Sequence, residues 1–159
     1  MKKVQITTLM ISSRRKAREL ALRALYAQEM SNNSVSVIIE EMIRGRGDQE
    51  SLKNFAAKLV EISCLNKERI DGMITETARN WEFGRIAVLD KMIMRIAISE
   101  FLYFEDIPPK VSIDEAIEIA KKYSTEASGQ FINGILDAVL IDLKEQNLLK
   151  KSGRGLSEN

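Results

Sequence analysis

The densest concentration of reactive side chains lies near the start, where Lys2, Lys3, Arg14, Arg15, Lys16 and Arg18 give six positive charges before the first acidic residue, Glu19. The rest of the chain is correspondingly net negative, since the total is 24 basic against 23 acidic residues. If Ser12 or Ser13 caps a helix that starts there, Arg14, Arg15 and Lys16 sit at its positive dipole end. Each is then unfavourable by a few tenths to about 1 kcal/mol, a penalty that an anion docked on the helix end would relieve. Free amides, dipole and guanidinium forks together suit phosphate, with Arg14 and Arg18 on one face and Arg15 beside it. The bland reading, a solvated basic helix start, stands beside it. A membrane surface is the weaker anionic partner, because the Ala-rich opposite face is needed for a core.

A second group spans Ser128-Gly129-Gln130-Phe131-Ile132-Asn133-Gly134, where a polar loop leads into the last helix. Phe131 offers a ring for base stacking, while Ser128, Gln130 and Asn133 offer hydrogen bonds to base edges, the usual way of reading single-stranded RNA. Against this, Phe131 suits a core equally well, and Asn133 next to Gly134 suits a tight helix contact. Tyr26, Trp81, Tyr103 and Phe104 are spaced as core or interface residues. The carboxylates Glu100, Glu105, Asp106, Asp114, Glu115 and Glu118 could form an acid/base pair or a hard-metal site, but solvated faces and a helix cap explain them better.

What is missing narrows the chemistry. The chain has no histidine, which removes the commonest general base, the commonest metal ligand and every Ser-His or Cys-His arrangement. Cys64 is the single cysteine, so neither an internal disulfide nor a cysteine-rich zinc site can form, which suits a reducing compartment. There is no Gly-rich phosphate loop and no dinucleotide fingerprint. These absences argue against an enzyme, with no catalytic residue, cofactor or metal expected, and no apolar run is long enough for a membrane span.

Helices must position both groups. The 159 residues, 45% hydrophobic and 30% charged, suit one globular domain. Apolar residues recur at three- and four-residue spacings in successive stretches: Ala17 to Gln28, Val35 to Ile43, Leu52 to Ser63, Ile70 to Trp81, Leu89 to Phe101, Ile113 to Ala120 and Phe131 to Leu143. Gly45-Arg46-Gly47, Asn66 and Gly84 punctuate them, and Pro108 and Pro109 force a new start. Ser112 and Glu115 have the spacing of a capping box. The expectation is all-α, about seven helices with essentially no sheet. Residues 1–13 read as a disordered extension, 14–148 as the helical domain and 149–159 as a disordered tail.

Several of these stretches also resemble the NusB family of transcription antitermination factors. They are Arg14-Arg15-Lys16-Ala17-Arg18-Glu19-Leu20-Ala21 with Ala24-Leu25-Tyr26, Leu89-Asp90 with Met94-Arg95-Ile96-Ala97, the run from Ile107 to Lys121, and Phe131-Ile132-Asn133-Gly134-Ile135-Leu136-Asp137. The likeness runs from about Arg14 to Leu143, and its second half is the more specific. It implies an all-α fold of about seven helices packed as two small helical subdomains, in a cytoplasmic, non-enzymatic protein that binds boxA RNA of ribosomal RNA operons in a heterodimer with NusE, a small-subunit ribosomal protein. Other Nus factors and RNA polymerase are implied through that complex, while a homodimer stays open. Carried over by position, Arg14, Arg15, Lys16 and Arg18 contact RNA phosphates; Ser128, Gln130 and Phe131 form a second RNA patch; Asp90 and Glu82 face the protein partner. Two other readings compete: a helical protein-interaction module without specific RNA binding, and a NusB-like domain preceding an RNA methyltransferase domain, which the lack of a catalytic domain after Leu143 disfavours.

Overall fold

From Lys2 to Ser31 there is neither glycine nor proline, and nothing in that stretch interrupts a helix once it has started. In the computed structural model, which describes residues 2–78 and 83–157, the whole stretch is α1 (Lys2–Ser31). The segment expected as a disordered arm is thus helical, and neither Ser12 nor Ser13 is its cap. Asn32 ends α1 in the left-handed region at φ 56°, with its amide bonded to the Gln28 carbonyl at 2.9 Å. Asparagine tolerates that conformation better than most residues with a side chain.

Among the described residues there are seven α-helices and no strand, divided into two compact units, 1–64 and 65–159. In the first unit Ala17, Leu20, Ala21, Ala24 and Leu25 of α1 are buried as the periodicity predicts. Ser34 caps α2 (Val35–Ile39) by accepting from the Val37 amide at 3.3 Å. The chain then widens into a π-turn, Glu40–Arg44, closed by the Gly45 amide on the Glu40 carbonyl at 3.1 Å. After the Gly45-Arg46-Gly47 loop, α3 (Glu50–Leu65) buries Leu52, Ala56, Leu59, Val60 and Ser63.

In the second unit α4 (Lys67–Thr77) packs on α5 (Val88–Tyr103) and α7 (Glu126–Glu145), and α5, α6 (Pro109–Tyr123) and α7 pack on one another. Every residue of α5 from Met92 to Leu102 is buried. Arg95 of α5 and Asp71 of α4 form a bidentate ion pair at 2.6 and 2.8 Å, with only 7% and 17% of their side chains exposed. Asn66 precedes α4 without capping it through its side chain; its Oδ1 instead accepts from the Tyr103 hydroxyl at 2.9 Å.

Two expected features take other forms. Helix α6 begins at Pro109, where a missing amide hydrogen is harmless, so Ser112 lies inside the helix rather than at its cap. The Ser112 hydroxyl donates to Glu100 Oε1 at 2.9 Å, and Glu100 and Glu115 are buried rather than solvated. The C-terminal segment, expected to be disordered, is anchored through residue 157. Lys151 Nζ donates to the Glu100 and Phe104 carbonyls at 2.9 and 2.8 Å, supplying the acceptors at the end of α5 with a donor. The Ser152 amide bonds to the Glu105 carbonyl at 3.0 Å, and a 3-10 turn follows at Gly153–Leu156.

Candidate nucleic-acid interface

With α1 starting at Lys2, the basic cluster lies roughly 18 Å along the helix, at 1.5 Å per residue, and away from the positive end of its dipole. The dipole argument for anion binding therefore does not apply. The helical period instead splits the cluster into two faces. Arg14 and Arg18, four residues apart, both lie over the Phe55 ring of α3, with Cζ at 4.9 and 5.4 Å from its centroid. Arg18 is only 3% exposed. Such contacts stabilise by about 0.5–2 kcal/mol, the larger value when water is excluded. Arg15 and Lys16 are exposed on another part of the helix. Two of the four predicted phosphate contacts thus reach solvent fully, Arg14 partly, and Arg18 hardly at all.

The second predicted group sits on α7, which starts earlier than its apolar stripe suggests. Thr125 caps it by accepting from the Ser128 amide at 3.1 Å. Ser128 Oγ lies 2.9 Å from Ser124 Oγ and accepts from Thr125 Oγ1 at 3.2 Å, so this side chain belongs to the cap. Gln130 is exposed, whereas Phe131 and Asn133 are half-buried. A Cβ built on Gly134 would meet nothing within 4 Å, so a close helix contact does not explain that glycine. Gln130 is the one exposed side chain among Ser128, Gln130, Phe131 and Asn133.

Of the two residues assigned to a protein partner, Glu82 lies outside the described residues, as does Trp81. Asp90, in the first turn of α5, is 6% exposed, and its Oδ1 finds no hydrogen-bond partner among the described residues. An acceptor left in this state destabilises by about 1–3 kcal/mol. Tyr26, expected in a core or interface, is 43% exposed, which leaves the interface alternative.

Residues 15–140 match the model of the NusB family. The chain belongs to the NusB family. It is 46% identical over 147 residues to the transcription antitermination protein NusB of Salinibacter ruber, a match covering 92% of each chain. Among solved structures it is similar to NusB of T. maritima, with 36% identity, a TM-score of 0.75, and coverage of 81% of this chain and 91% of that one. It also shares its fold with a chain in a crystal structure of the antitermination factors NusB and NusE in complex with dsRNA. There the TM-score is 0.74 at 22% identity, covering 82% of this chain and 98% of that one.

The NusB-family expectation of an all-α fold thus agrees with the structure, and the main site revision concerns which way the arginines face. Phe55, the ring beneath Arg14 and Arg18, lies on the same stripe as Leu52 and Leu59 and from sequence reads as core, which hides its role under the arginines. Arg46, between two glycines, carries no sequence signal beyond that of a loop. Among the described residues no cluster of three or more His, Cys, Asp or Glu could hold a metal ion, and no helix is long and apolar enough to cross a membrane.

Proposed function

We propose that this NusB-family chain is a non-catalytic, cytoplasmic RNA-binding antitermination factor that grips boxA-type RNA together with NusE in ribosomal RNA operons. Other Nus factors and RNA polymerase join through that complex. The observation that carries this reading is the exposed pair Arg15 and Lys16, within the part of α1 that matches the family, backed by arginines fixed on Phe55. Arg15 and Lys16 meet phosphates, Arg14 contributes from its half-buried position, and Arg18 orients the patch by bracing α1 against α3. Gln130 and Phe131 form the second RNA contact, with Ser128 holding the end of α7 in place. Asp90 accepts a hydrogen bond from NusE, and the family likeness assigns Glu82 to the same partner. A complex of similar fold that contains NusB, NusE and dsRNA supports the pairing of these partners.

The test is binding of the purified protein, alone and with NusE, to boxA RNA and a scrambled strand, repeated with Arg15→Gln/Lys16→Gln. Preference for boxA, strengthened by NusE and weakened in the double variant at unchanged helical content, is expected. Absence of RNA binding with and without NusE would reject the reading and leave a protein-interaction module.

A further inference from the structure

Lys16 has a second set of neighbours that the reading above does not use. With Glu19, Leu20 and Arg23 it forms a stripe at three- and four-residue spacing along α1, facing the segment that runs from the Gly45-Arg46-Gly47 loop into α3. Between them lies an open cleft of about 190 Å³, several times the roughly 30 Å³ share of one water molecule. Leu20 and Leu52, 6% and 8% exposed, form its apolar floor. Its rim carries three cations, Lys16, Arg23 and Arg46, and two carboxylates, Glu19 and Asp48.

The electrostatics of that rim are specific. Arg46 Nε donates to Asp48 Oδ2 at 2.6 Å, with side chains 48% and 27% exposed, so the pair sits at the mouth of the cleft. The Arg46 hydrogen bond holds the Asp48 carboxyl below its usual range, and the Lys16 charge acts in the same direction. Lys16 and the loop are therefore within one electrostatic neighbourhood. Glycines on both sides of Arg46 leave the loop backbone unhindered, and a Cβ at Gly47 would meet nothing within 4 Å. A guanidinium held in water by one carboxylate gains little, so another oxyanion can displace that carboxylate.

We propose that this cleft is a further phosphate subsite for the RNA backbone, with Arg46 as its gripping residue and Asp48 as the internal anion that holds Arg46 until phosphate replaces it. The proposal rests on the RNA-binding reading above. RNA is favoured over an acidic protein segment because the cleft shares Lys16 with the exposed pair, so one strand crossing Arg15 and Lys16 leads directly to Arg46. In the free protein Asp48 keeps the arginine pre-oriented, and the phosphate inherits a fork already aimed outward. The carboxylate is then released to solvent, and it opposes binding by its charge.

The experiment is a salt titration of binding to a short fluorescent boxA RNA and its scrambled control, using the wild type, Arg46→Gln, Asp48→Asn and Arg15→Gln/Lys16→Gln, each checked for an unchanged melt. Loss of one phosphate contact should reduce the log–log salt slope of Arg46→Gln by about 0.7 and weaken both RNAs roughly fivefold. Asp48→Asn should tighten both. If the wild type binds RNA and the Arg15/Lys16 variant weakens it while Arg46→Gln leaves slope and affinity unchanged, the subsite is rejected and the RNA-binding reading stands. Weakening of NusE binding alone by Arg46→Gln would equally reject it. Absence of wild-type RNA binding would overturn both.

Discussion

At the scale of single residues, the basic side chains of α1 meet two different surroundings, an aromatic ring on one side and solvent on another. Arg14, Arg15, Lys16 and Arg18 form one basic word in the sequence, yet α1 turns Arg14 and Arg18 toward Phe55 and leaves Arg15 and Lys16 in water. The two pairs should therefore respond differently to substitution. Arg18→Ala should lower stability by about 2 kcal/mol in urea melts through lost packing and cation–π contact, whereas Arg15→Ala should leave the melt unchanged and reduce RNA binding. Asp90 should show the reverse balance: because its buried Oδ1 has no hydrogen-bond partner among the described residues, Asp90→Ala should leave the fold as stable or more so, while calorimetry shows weaker NusE binding. Lys151 allows a pH test. Burial pushes its pKa below the ordinary 10.5, partly opposed by Glu100, Asp106 and Glu105. The unfolded chain then holds a proton that the folded chain releases, so this group's contribution to stability should rise with pH between the lowered value and 10.5. Denaturant midpoints of the wild type relative to Lys151→Met, measured from pH 8 upward, would reveal that slope; equal slopes would refute it.

At the scale of elements, apolar periodicity located the seven helices, but their ends were set by interactions far apart in sequence. The Ser112-x-x-Glu115 spacing suggested a cap, yet Pro109 had already opened α6, and the Ser112 hydroxyl went to Glu100, 12 residues back. Helix α7 likewise starts at Glu126, capped by Thr125, rather than near Phe131, so the polar stretch ahead of Phe131 forms the first turn of the helix instead of a loop. The pair Arg95–Asp71 joins α4 to α5 across 24 residues, a separation that local patterning cannot register. Because both side chains are largely enclosed, Arg95→Ala should destabilise by about 3–5 kcal/mol, whereas a double replacement with apolar residues of similar volume should be far milder. A double-mutant cycle on thermal or urea unfolding measures both.

At the scale of the whole molecule, the missing histidine removes imidazole chemistry from the sequence, and the family likeness points to the class of partner. Individual contacts then decide the number of phosphates held, which is an ensemble property measurable without knowing where each lies. Arg15, Lys16 and the half-buried Arg14 alone would give a salt slope near −2 on single-stranded RNA, at about −0.7 per neutralised phosphate, and the Arg46 subsite would steepen it to about −3. NusE should raise RNA affinity at every salt concentration, since linking two binding surfaces raises the effective concentration of each.

The anchored C-terminal segment has a consequence for how the chain can vary. Lys151 plugs the end of α5, and Gly155 lies so close to the Glu105 carbonyl oxygen that a built Cβ would collide with it. Two anchors on a short tether impose a count. Insertion or deletion of one residue between them would bring Arg154 or Leu156 under that carbonyl, where neither side chain fits. Length changes should therefore be tolerated ahead of Lys151 and excluded between Lys151 and Gly155, making this stretch a ruler whose spacing matters more than its polar content.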